Sequence, residues 1–229
     1  MGSLGAFLLM GISNCDIVEE NNLASQNCTT GCNIIQGRLT TNNGNSGIGN
    51  VKLLLKWINY TSIFSVVIRS KAITRTQNDG TFMFEFRLND DELYAGYFEI
   101  EYFVDESKFL ILHKRTITLS SLTRDTIVDM EYLVPLKAYI QWEVKNNQKI
   151  VDDDYFHTTF RSPIGFAGEE NGHAVDWRVP PSEALIEVAG NQKIYVMNSI
   201  KKNGIIYEKT DTLFIAAGET LPYTFDYLQ

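Results

Sequence analysis

The stretch Thr81-Phe82-Met83-Phe84-Glu85-Phe86-Arg87-Leu88 repeats with a period of two. Phe82, Phe84, Phe86 and Leu88 therefore share one face of an extended strand, and Thr81, Met83, Glu85 and Arg87 share the other. One face is made for a core and the other for solvent. Just upstream, Asn78-Asp79-Gly80 supplies an Asp-Gly step with the positive φ that a tight hairpin turn requires. Downstream, Phe98, Ile100, Tyr102 and Val104 alternate with Glu99, Glu101 and Asp105, and Phe109–Leu119 and Thr126–Val134 read as two more strands.

The same pattern resumes after Pro135, with Leu136, Ala138, Ile140, Trp142 and Val144 inward and Lys137, Gln141, Glu143 and Lys145 outward. Tyr155–Arg161, Ala184–Ala189, Lys193–Ser199, Gly204–Thr210, Asp211–Ala216 and Tyr223–Tyr227 follow, with turn signals at Gly190-Asn191, Asn203-Gly204 and Gly218. Regularly spaced short strands predict an all-β fold of two tandem β-sandwich domains, 33–134 and 135–229. The stretch 162–182, with three prolines and three glycines, is longer than an ordinary connection and reads as a functional loop or a segment covering a sheet end.

A chain of 229 residues has room for two such domains, and its 44% hydrophobic and 21% charged residues are those of a folded protein. The 20 Lys and Arg stand against 28 Asp and Glu, a net charge of −8 that opposes any phosphate-tracking surface and so excludes nucleic acid as the expected partner.

At the N-terminus, Leu4–Ile12 is an uncharged apolar run, too short to span a bilayer and sized like the hydrophobic region of a secretory signal, although Met1-Gly2-Ser3 brings no basic residue. The alternative is a first strand or helix packed on the body. Ile12-Ser13-Asn14-Cys15 resembles a bacterial lipoprotein box, with Asn14 where Gly, Ala or Ser is usual. That resemblance implies a signal segment over 1–14, a lipid-anchor at Cys15 and a polar tether over 15–32, similar to the acidic stretches of surface lipoproteins of the Bacteroidota. Setting Cys15 aside leaves Cys28 and Cys32 as an even pair, in a disulfide or as two free thiols. Two cysteines do not complete a zinc site, and His113, His157 and His173 lie far off without ligand spacing, so no metal and no cofactor is expected.

Ile34-Ile35-Gln36-Gly37-Arg38-Leu39-Thr40, then Gly47-Ile48-Gly49-Asn50-Val51-Lys52-Leu53, then Thr76-Gln77-Asn78-Asp79-Gly80-Thr81-Phe82-Met83-Phe84 resemble the carboxypeptidase regulatory-like domain, a transthyretin-like β-sandwich. The likeness covers about residues 33–105, with Trp57–Ser62 as an insertion. It implies an accessory role as a spacer, a binding platform or a subunit beside an outer-membrane transporter or assembly machine. Glu187–Lys193 and Thr210–Thr220 are similar to the last strands of other surface-lipoprotein sandwiches.

No phosphate loop, nucleophile elbow or zinc-protease helix motif is present, and the chain reads as a non-enzyme. Asp152-Asp153-Asp154 reads as a solvated turn rather than a calcium loop. Glu169, Glu170, His173 and Asp176 read as a polar surface loop, and His113 as a strand residue. The expected function is that of a lipid-anchored cell-surface subunit that binds an outer-membrane protein partner. The alternative is glycan or peptide capture, for which Trp57, Tyr60, Tyr94, Tyr97, His173 and Trp177 are the candidate ligand-binding side chains.

Overall fold

The computed structural model describes residues 16–21, 23–112, 114–149, 153–177 and 183–226. At its organising hairpin, Gly80 has φ +85°, and a Cβ there would meet Leu39 O at 2.3 Å. Gly47 crosses the same turn so closely that a Cβ would lie 1.8 Å from Asp79 O. Glycine at both positions lets the turn press against its neighbour. Asp79 Oδ1 accepts hydrogen bonds from the Thr81 backbone N–H at 3.0 Å and from its hydroxyl at 2.7 Å, which fixes the exit of the turn.

The first half contains β1 (Asp16–Asn21), β2 (Asn33–Thr41), β3 (Ser46–Gly47), β4 (Lys52–Ser62), β5 (Ser65–Arg75), β6 (Thr81–Phe86), β7 (Tyr97–Phe103), β8 (Thr116–Leu119) and β9 (Ile127–Leu133). One sheet runs β1-β5-β4-β7-β8, while β2 is bordered by β3, β6 and β9 in the other. Between them lies a cluster drawn from Ile35 to Val134, including Leu53, Leu55, Trp57, Phe82, Phe84, Phe86, Phe98 and Ile100. The alternating residues that define the pattern in sequence are thus the buried ones.

The second half adds β10 (Lys137–Lys145), β11 (Tyr155–Pro163), β12 (Gly165–Phe166), β13 (Glu170–Trp177), β14 (Glu183–Ala189), β15 (Lys193–Lys202), β16 (Ile205–Phe214) and β17 (Thr220–Asp226). A sheet β14-β10-β17 faces a sheet β13-β11-β15-β16 over a second cluster, from Ala138 to Phe225. Trp142 sits at its centre, stacked 5.2 Å from Tyr223 and edge-on 5.6 Å from Phe160. The protein is all-β, and its two halves are β-sandwiches.

Several segments differ from the sequence expectation. Of residues 15–32, expected as a tether, β1, Ser25 and Gln26 are bonded to the first sheet. β1 pairs in parallel with β5, Ser25 Oγ donates to Lys71 O, and Gln26 Oε1 accepts the Ile73 N–H at 3.1 Å. Trp57–Ser62 continues β4 into a hairpin with β5. Of Phe109–Leu119 only the last four residues form a ladder, because Asp105 Oδ1 caps a turn at Ser107 and Leu110 N–H is taken by Pro135 O at 2.9 Å. Gly204–Thr210 and Asp211–Ala216 merge into β16, since Thr210-Asp211-Thr212 contains nothing to break an extended chain. The stretch 162–182, expected as a loop or a cover for a sheet end, supplies β12 and β13, with β13 antiparallel to β11 at the border of its sheet.

β12 crosses to the first half and pairs with β9, placing the Phe166 ring edge-on to Tyr132 at 5.3 Å. A bridge between Phe109 and Leu136, the bond from Lys137 N–H to Lys108 O at 2.8 Å and the bond from Asn191 Nδ2 to Asn42 Oδ1 at 2.7 Å complete the joint.

Candidate interaction surface

The candidate residues do not converge. Cys15 and Asp152 lie outside the described residues, as do His113 and the side chains of Trp177 and Asp176. Cys28 and Cys32 are joined in a disulfide. Trp57 belongs to the inward row of β4 with Leu53 and Leu55 and is 2% exposed. Its Nε1 donates to Ala95 O at 3.0 Å and the Arg69 guanidinium lies 4.6 Å from its ring, so it is a core residue and not a stacking platform. Tyr60 is exposed beyond it, hydrogen-bonded to Tyr97, whose pKa is pushed up to about 12 by burial first and by that bond second. His173 is half-buried in β13 opposite Phe160, in the other half of the molecule. Asp154, expected in a solvated turn, is buried and accepts the Asn203 N–H at 3.0 Å.

One charged cluster was not visible in sequence. Lys71 and Glu92 are both fully buried, with Lys71 Nζ 2.9 and 2.7 Å from the two carboxylate oxygens. Glu92 also accepts the Asn89 N–H at 2.8 Å and lies 3.5 Å from Arg69, which in turn pairs with Asp91 at 2.6 Å. Burial draws the Lys71 pKa below the ordinary lysine value, opposed by the hydrogen bond and charge of Glu92. The pair, with the Asn89 bond, clamps the turn after β6 onto β5.

The outstanding surface feature is β16. Both rows of this ten-residue strand are exposed, including Ile205, Ile206, Tyr207 and Phe214, and on one side it has no neighbouring strand among the described residues. The facing sheet has three strands against four, and β16 overhangs it. Beneath the overhang is a cleft of about 750 Å³ lined by Ile200, Ile205, Tyr207 and Phe225 with Lys145 and Lys202. Leu213 packs on the second core, and Tyr223 donates to Asp211 Oδ2 at 3.3 Å, so the row from Ile205 to Leu213 faces inward.

Among the described residues the borders β1, β6, β13 and β14 have six to eight residues, against ten in β16, and the others are short or protected. β3 and β12 have two residues each, β8 has four, and β17 carries Pro222. A second exposed apolar patch lies at the tip of the β4–β5 hairpin, where Ile63 and Phe64 stand near Tyr60, and Tyr94 is exposed after the turn that holds Glu92. Sequence reasoning missed β16 as a surface because its apolar residues read as half-buried.

No family model matches the chain, and no curated protein matches it. Among solved structures, a streptococcal ancillary pilin superposes with a TM-score of 0.32 and 8% identity, over 87% of this chain and 63% of that one. The shaft pilin SpaA of Lactobacillus rhamnosus GG gives 0.29 and 8%, over 86% and 98%. A candidate cell adhesion protein of Bacteroides fragilis NCTC 9343 gives 0.27 and 10%, over 92% and 91%. At such values the fold rests on the chain's own ladders and cores.

Proposed function

We propose that this chain is a non-enzymatic cell-surface protein that works as an interaction module, docking its partner through the open edge of β16. The observation that carries this reading is the length and apolar exposure of that edge. A strand whose backbone N–H and C=O groups lack a neighbour is a template for another strand, and natural sheets normally blunt it. The Cys28–Cys32 disulfide supports an oxidising, extracytoplasmic setting. A lipid on Cys15, within a segment resembling a lipoprotein box, would hold the protein at the outer membrane, where it would act as a subunit of a surface complex. The carboxypeptidase regulatory-like resemblance of residues 33–105 fits an accessory role of this kind.

The test is a photo-crosslinking residue at Ile206, compared with one at Met83 on the outer face of β6, in intact cells that make the protein. Docking through β16 predicts a discrete protein adduct from position 206 and none from position 83. Absence of any adduct at 206 would contradict it. A second reading, glycan capture, draws on the exposed rings of Tyr60 and Tyr94. It requires that Tyr60→Ala with Tyr94→Ala abolish retention on a glycan array, and unchanged retention would exclude it.

A further inference from the structure

We infer that the partner of β16 is β16 of a second copy of this chain, paired antiparallel about a two-fold axis through Thr210. The inference rests on the docking function proposed above and names its occupant.

A two-fold axis that continues a sheet runs perpendicular to it and leaves each face on its own side. Every residue must then meet one from its own row, so the axis has to pass through a residue and not between two. The sequence Ile205-Ile206-Tyr207-Glu208-Lys209-Thr210-Asp211-Thr212-Leu213-Phe214 offers six central choices that pair at least half of it. An axis at Glu208, Lys209 or Asp211 sets a like charge directly against itself, which is destabilising. An axis at Tyr207 sets Ile206 against Glu208, one at Thr212 sets Asp211 against Leu213, and either pairs only half the strand.

An axis at Thr210 sets Lys209 against Asp211 twice, Tyr207 against Leu213, Ile206 against Phe214, Glu208 against Thr212 and Thr210 against itself. Opposite charges, apolar pairs and Thr–Thr pairs are the cross-strand combinations that stabilise antiparallel ladders. This register also covers three of the most exposed apolar side chains of the strand, Ile206 at 56%, Tyr207 at 53% and Phe214 at 66%. The inward row of each copy would bring Tyr207, Lys209, Asp211 and Leu213 together over two adjoining clefts. The self-match argues for a copy of the chain over an unrelated strand, whose residues would have no reason to complement both rows. The net charge of −8 on each copy opposes association at long range, and screening at physiological ionic strength, with a Debye length of about 8 Å, limits that opposition.

The experiment is sedimentation velocity over a concentration series at physiological salt. The native chain is expected to reach twice its monomer mass. Lys209→Asp and Asp211→Lys should each weaken dimerisation at least tenfold, and the double variant should restore it, because the reversed charges face each other again. Restoration separates lost pairing from lost folding. In a Cys15→Ser background, oxidised Thr210→Cys should give a covalent dimer and Thr212→Cys should not. A chain that stays monomeric at every concentration, with no Thr210→Cys link, overturns the inference, as does a double variant no better than the singles. The Ile206 crosslink then separates the two readings. An adduct of twice the chain mass supports the copy, an adduct with a different protein overturns the copy while strand docking stands, and no adduct overturns both.

Discussion

At the scale of single residues, the buried Lys71–Glu92 pair fastens the turn after β6 to β5 in the first sandwich. Lys71→Met leaves the buried Glu92 carboxylate with the Asn89 hydrogen bonds and the more distant Arg69, and a loss of about 3 kcal/mol is expected in denaturant unfolding. Combining Lys71→Met with Glu92→Leu should recover most of that loss, since replacing both charges removes the unpaired group. Trp142→Ala empties the centre of the second core and is expected to cost about 3–5 kcal/mol, read from the same unfolding curve. Asp79 shows the acid dependence of a turn. Hydrogen bonds from Thr81, the hydroxyl first, hold its pKa below the ordinary aspartate value of 3.8. A depressed folded pKa means the unfolded chain takes up the proton first, so this contribution is complete above pH 3.8 and is lost as pH falls through the folded pKa. Asp79→Asn should flatten the stability–pH profile in that acid range, and an unchanged profile would assign the acid dependence elsewhere. Residue-level roles were the least legible in sequence. Trp57 read as a platform because it is among the aromatics nearest a loop, whereas its place in the row of Leu53 and Leu55 decides its burial.

At the scale of elements, strict alternation was legible wherever one face meets a core, as in β6, β7 and β10. It failed where the pairing is set by distant chain. The prolines and glycines of 162–182 suggested a loop, yet β12 and β13 form because β9 and β11 offer edges to them. β1 likewise pairs with β5 despite its acidic sequence. The disulfide closes a small loop between Cys28 and Cys32, four residues apart, just before β2. Loop-closure entropy for so short a span amounts to about 2 kcal/mol, so Cys28→Ser with Cys32→Ser should lower the melting temperature modestly without unfolding the protein. A complete loss of folding would mean that the bridge organises more than its own loop.

At the scale of the whole molecule, two cores are joined by backbone pairing and not merely by a linker. β12 extends the sheet of the first half, and the rings of Tyr102, Tyr132 and Phe166 follow one another across the joint. Burial is the largest cause that raises the pKa of both tyrosines. A joint of this kind holds β16 in a constant relation to the first half, which suits a module that presents one docking edge. The measurement that bears most directly on that role is amide hydrogen exchange of residues 205–214. It would compare the assembly purified in mild detergent from cells with the chain alone at high dilution. The account predicts that these amides exchange at least tenfold more slowly in the assembly, while those of β13, the opposite border of the same sheet, are unchanged. Equal exchange of β16 in both states, with new protection at another edge, would contradict it.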